Sequence, residues 1–195
     1  MFHSMKEKLK LALDGPRYEH TLGVMYTAGS LAMAYGYNIE KAMIGGLLHD
    51  CAKCLTHEER VELCKKYQVE VSASEFENKA ILHAKAGAIL AKIEYDITDI
   101  EILHAIAAHT TGKPNMSMLD KIIYIADYIE PGRDKAPNLE YIRCLAYKDL
   151  DACMAEILED TLNYLNSRRG NIDPATADAY AFYKEYRKEN EHGII

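Results

Sequence analysis

Six side chains able to ligate a metal stand where the sequence around them is apolar: His20, His49, Asp50, His83, His109 and Asp127. His20 shares a helical stripe with Val24 and Leu31, and His49-Asp50 follows Leu47-Leu48 in "GGLLHDCAKC" (45–54). His83 precedes Gly87 and Leu90 by about a turn, His109 follows Ile102 and Ile106, and Asp127 follows Ile123 and Tyr124. Such stripes face a core. A buried carboxylate without a partner is costly, and a buried imidazole needs its nitrogens satisfied. Four imidazoles and two carboxylates turned inward from different helices satisfy one another through divalent ions such as iron, manganese or zinc. Six donors exceed the four of a structural zinc. They suffice for two ions if one Asp bridges, and an ion pair about 3.5–4 Å apart hydrolyses phosphate esters and anhydrides. Taken singly, a histidine on an apolar face is more often a hydrogen-bonded core residue, and Asp127 more often a cap or a lysine partner. His3, His57, His104 and His192 read as such ordinary residues.

The elements that must carry these side chains read as helix after helix. The spacing predicts helices over 17–36, 39–52, 57–67, 77–92, 98–110, 116–130, 138–148, 150–168 and 174–190. Asn38 caps the second of these, and Thr56 with Glu59 forms a capping box for the third. Breaks fall at Gly112-Lys113-Pro114, Pro131-Gly132 and Gly170. Period-2 alternation is nearly absent, and no linker divides the chain. One all-α domain over 1–195 is expected, with a core of about 17–133 and a C-terminal helical layer of about 138–190.

The 195 residues suffice for one full hydrophobic core. A net charge of −7 argues against broad binding of nucleic acid polymers, yet leaves room for a local positive site. The five cysteines show no disulfide framework. The first residues lack a signal-peptide core, and no run approaches the roughly 18 apolar residues of a membrane span. A soluble, reduced, cytoplasmic protein without a membrane partner is expected. A homodimer is compatible with a small helical enzyme.

The order His20, His49-Asp50, His83, His109, Asp127 resembles the HD-domain metal-dependent phosphohydrolases. That order favours a metal centre over six separate core residues. "RYEHTLGV" (17–24), "GLLHDCAK" (46–53), "ILHAKAGAIL" (81–90) and "AAHTTGKPNMSMLDKIIYIADYIEPGR" (107–133) look like the YqeK subfamily. The resemblance covers roughly residues 6–168, and "HTTGKP" with "ADYIEPGR" is its most specific part. It implies an HD-domain helical bundle with C-terminal helices packed on it. It implies a symmetrical bis(5′-nucleosyl)-tetraphosphatase, which splits diadenosine tetraphosphate into two ADP. The usual metal is iron, in a dinuclear centre, and manganese, cobalt or zinc suit the same donors. Cys51, Lys85 and the loop "DKAPNL" (134–139) depart from the pattern, and Lys85 adds a cation near the site.

Carried onto this chain, the resemblance assigns His20, His49, Asp50 and Asp127 to one ion. Asp50, His83 and His109 hold the other, with Asp50 bridging. Two divalent ions against two carboxylates leave the centre positive. A hydroxide held there attacks an inner phosphorus and ADP leaves. Arg17 stands three residues before His20 and Lys53 three after Asp50, on matching helical faces. Both are expected to act in catalysis with Asp50 by binding phosphate. Arg133, Thr110 and Gly112 complete the expected phosphate site. The Cys51–Cys54 CxxC, the stripe Met25, Leu31, Met33 and Met43, and the paired glycines Gly45-Gly46 read as core packing, the glycines for close helix approach. Lys6, Lys8 and Lys10 read as a solvated face of a first helix. Two alternatives remain at this stage: an HD phosphohydrolase for a nucleoside monophosphate or cyclic dinucleotide, and a non-catalytic nucleotide-binding sensor.

Overall fold

The computed structural model describes residues 2–168 and 172–191. Among the described residues lie eleven α-helices, one short 3-10 turn and no strand, as the periodicity predicts. In order they are α1 (Phe2–Ala12), α2 (Gly15–Ala34), α3 (Ile39–Leu48), the 3-10 turn (Cys51–Cys54), α4 (His57–Lys66) and α5 (Ala73–Glu77). There follow α6 (His83–Glu94), α7 (Ile100–Ala108), α8 (Met118–Ile129), α9 (Leu139–Ala146), α10 (Leu150–Ser167) and α11 (Pro174–Glu191). None is long and apolar enough to cross a membrane among the described residues. His192 and Gly170 lie outside them.

Local chemistry sets the boundaries. Asn38 Oδ1 accepts from the Lys41 N–H at 3.0 Å ahead of α3. Thr56 and Glu59 close a reciprocal capping box on α4, and Ser117 and Asp120 close one on α8. Three predicted helices are four residues shorter in the structure, and others differ by less. The stretch 39–52 stops at Leu48, because the Lys53 N–H bonds back to the Asp50 carbonyl and tightens the chain into the 3-10 turn. The stretch 98–110 stops at Ala108, and Gly112 (φ +68°) follows in the left-handed region that glycine tolerates. The stretch 77–92 begins only at His83. Asn78 Oδ1 takes the Ala80 N–H and turns the chain, while α5 forms upstream under its own Ser72 capping box.

α2 and α3 pack together at the centre, with α8 against both and α7 against α3. Gly46 permits the approach: a Cβ there would lie 3.0 Å from Met25 Cα and from the Val24 carbonyl. Leu47, Leu48, Met25, Leu31, Ile122 and Ile123 form the buried centre, and Cys153, Met154, Ile157 and Leu158 of α10 join the same cluster. Met33 departs from the expected stripe, being 62% exposed. It lies two residues beyond Leu31, on the opposite side of α2. Cys51 is buried as expected, but Cys54 is exposed. This packing directs the C-terminal ends of α3 and α7 and the start of α6 toward one interior point between α2 and α8.

Candidate metal centre

The six candidate ligands meet at that point. His20 stands within α2 and Asp127 near the end of α8, on stripes as expected. His49 and Asp50 lie just past the end of α3, and His109 just past α7. His83 is the first residue of α6. These four are set by helix ends, not by the helical faces the sequence suggests.

Asp50 is the hub. Its Oδ1 lies 3.2 Å from His83 Nε2 and 3.4 Å from His109 Nε2. Its Oδ2 lies 3.3 Å from His49 Nε2 and 3.9 Å from His20 Nε2. Asp127 Oδ1 lies 3.0 Å from His20 Nε2 and 3.7 Å from His49 Nε2. Three overlapping triads result: His20, His49 and Asp50; His49, His109 and Asp127; Asp50, His83 and His109. Within each, the donor atoms lie within 4.8 Å of one another.

The outer atoms of three rings fix which nitrogen faces inward. His49 Nδ1 lies 2.7 Å from the Gly46 carbonyl, and His109 Nδ1 2.7 Å from the Ile106 carbonyl. His20 Nδ1 lies 3.0 Å from Glu130 Oε1. These oxygens accept, so each Nδ1 carries a proton, and each Nε2 is left facing the carboxylates at the centre. Two buried atoms at the centre, His49 Nε2 and Asp50 Oδ1, make no hydrogen bond. Each such orphan costs roughly 1–3 kcal/mol. A cation among these donors would satisfy both, so the residues present fit a metal centre.

Electrostatics keep Asp50, Asp127 and His83 in ligating form, whereas burial of His49 is outweighed by the Asp50 and Asp127 charges, which push it up in the metal-free chain. Burial pushes the Asp50 carboxyl up, but the charge of His49 and the facing His109 and His83 rings outweigh it, holding it well below the usual range. Burial likewise opposes ionisation of Asp127, while His20, the charge of His49 and Arg133 pull its carboxyl down. His83 is pushed down to about 4, chiefly by burial, with Asp50 working against the shift. A prediction follows for the metal-free chain. Between about pH 4 and the ordinary 6.5 the unfolded chain binds the proton that folded His83 refuses. Stability therefore falls as pH drops through that window, by about 3 kcal/mol from this group. Urea unfolding of wild type and His83→Gln at pH 7 and pH 4.5 should show the variant losing less; equal losses would contradict the assignment.

The predicted cations divide. Lys53 Nζ lies 2.7 Å from Asp50 Oδ2. Arg133 donates to Asp127 Oδ1 at 2.6 Å and to the Asp127 carbonyl at 2.8 Å, with a guanidinium nitrogen 3.5 Å from His20 Nε2. Arg17 turns instead to Asp14, the cap of its own helix, at 2.7 Å, and is half-exposed. Thr110 Oγ1 lies 3.1 Å from His109 Nε2 and 3.3 Å from His83 Nε2. Gly112 shapes the chain after α7 and lines a different cavity, beside Lys85 and Lys113. Lys85 is drawn to Glu75 at 2.7 Å and so does not join the cluster. A cavity of about 770 Å³ opens over His20, His109, Thr110, Asp127 and Arg133, walled farther out by Tyr128, Tyr164 and Arg168. The sequence reading missed Glu130, although "IEPGR" contains it. It also missed the α10 wall, whose residues carry no local signal.

Comparisons with known proteins agree with this geometry. A family model described as HD domain matches residues 17–132. A Halalkalibacterium halodurans protein named bis(5′-nucleosyl)-tetraphosphatase, symmetrical, is 40% identical over 88% of this chain and 91% of its own. The Bacillus subtilis protein of the same name is 36% identical over the same shares. A crystal structure from Clostridium acetobutylicum, described as a predicted HD superfamily hydrolase involved in NAD metabolism, is 40% identical with a TM-score of 0.92. The likeness covers 95% of this chain and 98% of that one. A helical frame that gathers four histidines and two aspartates around Asp50, matched over these lengths, shows that the chain belongs to the HD-domain family, among relatives named symmetrical bis(5′-nucleosyl)-tetraphosphatases.

Proposed function

We propose that this chain hydrolyses diadenosine tetraphosphate symmetrically into two ADP at a two-metal centre. His20, His49, Asp50 and Asp127 would hold one ion, and Asp50, His83 and His109 the other. The observation that carries this reading is Asp50, whose two oxygens face two different groups of histidines. The names of the similar proteins supply the substrate. Iron fits the mixed imidazole and carboxylate donors, as do manganese, cobalt and zinc. When bound, such ions polarise phosphate oxygens and bring the pKa of water toward neutrality.

The chain's own residues do the rest. Asp50 and Asp127 stay ionised and balance part of the metal charge. The carbonyls of Gly46 and Ile106 hold His49 and His109 in the ligating tautomer. Arg133 has guanidinium hydrogens beyond those given to Asp127 and can grip phosphate oxygens with two parallel bonds. Lys53 adds a point charge on the Asp50 side. The Tyr128 and Tyr164 rings in the cavity wall offer apolar faces to a nucleoside.

Chromatography of the products tests the reaction. Metal-replete protein should convert diadenosine tetraphosphate to ADP as sole nucleotide product. AMP with ATP would refute symmetrical cleavage, and intact substrate would refute the substrate itself.

A further inference from the structure

We infer that Glu130 is a positioning residue for the metal centre: it holds the His20 ring so that Nε2 faces Asp50 and Asp127. This role rests on the two-metal reading proposed above. Glu130 caps the end of α8 and is 3% exposed. Its Oε1 accepts from His20 Nδ1–H at 3.0 Å, and its Oε2 accepts from the Gly132 N–H at 2.6 Å. Among the described residues no Lys or Arg side chain forms an ion pair with it. A carboxylate this buried is expensive unless its acceptors are filled. Here one oxygen is filled by the turn and the other by the ring of a candidate ligand.

The surroundings are shaped to the carboxylate. A Cβ at Gly23, three residues after His20 on α2, would lie 2.5 Å from Oε2. A Cβ at Gly132 would lie 3.0 Å from both oxygens. The backbone carrying Glu130 is pinned from α9. Arg143 donates through Nε to the Ile129 carbonyl at 2.9 Å, and through Nη2 to the Glu130 and Arg133 carbonyls at 3.0 and 2.9 Å. Through Arg143, α9 thereby helps set the aim of a ring on α2. A ligating histidine whose outer nitrogen is held by a carboxylate loses about 10–100-fold in metal affinity when that partner is removed.

Stepwise Mn²⁺ titration of the metal-free full chain, followed by equilibrium dialysis and elemental analysis, tests the role. Glu130→Gln cannot accept from both the ring and the Gly132 N–H. Gly23→Ala displaces the carboxylate without changing it. Both variants should weaken one of two ions about 10–100-fold and leave the other unchanged. Glu130→Gln should add nothing further in a His20→Ala background. Wild-type affinity for both ions in Glu130→Gln would overturn the role, as would equal weakening of both ions with a lowered melting temperature. Two ions in wild type with an inert Glu130→Gln would refute Glu130 alone. No ion in wild type would instead remove the two-metal reading beneath it.

Discussion

Asp50→Ala should abolish turnover and strip at least one metal ion from the protein. The other five candidate ligands serve one side of the centre in the proposed assignment, while Asp50 serves both. Its Oδ1 and Oδ2 face different histidines at 3.2–3.9 Å. Loss of an outer partner of a metal ligand costs about 10–100-fold, so loss of a shared ligand should cost more than about 100-fold in kcat. Folding should survive. The freed Lys53 is 30% exposed and can turn to water. Metal analysis and product assay on the same preparation check the prediction. Full activity in this variant would end the two-metal proposal.

The second large effect is that of the ions themselves. Chelation should eliminate hydrolysis, and return of the metal should restore it. It should also destabilise the chain. Donors from α2, α8 and the ends of α3, α6 and α7 meet at one point, so the two proposed ions together would tie five helices. An ion at about 1,000 times its dissociation constant adds about 4 kcal/mol to the folded state. For a chain of this size that corresponds to roughly 8–16 °C in melting temperature. Scanning calorimetry with and without metal measures it. A rate unchanged by chelation would favour a catalytic site elsewhere, and unchanged melting would deny the ions a place in the core.

Much of this was legible from residue order. Caps at Asn38 and Thr56, the breaks at Gly112 and Pro131, and the close helix approach at Gly46 follow from local chemistry, and the structure has them. The candidate ligands could be listed from apolar stripes. Their placement at helix ends could not, because the bond from the Lys53 N–H to the Asp50 carbonyl ends a pattern that periodicity alone would continue. Arg17 shares the His20 face by spacing, yet Asp14 competes for it at closer range. Glu130 carries no mark in the sequence that singles it out. Its burial depends on Gly132 two residues on, and on Gly23 and Arg143, which lie farther along the chain where no local pattern encodes the contact.

If one carboxylate, Asp50, joins two metal sites, anomalous scattering from crystals of the metal-loaded protein should show two peaks about 3.5–4 Å apart, one on the His20 and His49 side of Asp50 and one on the His83 and His109 side. A single peak held by only one of these groups, or none within the cluster, would contradict it.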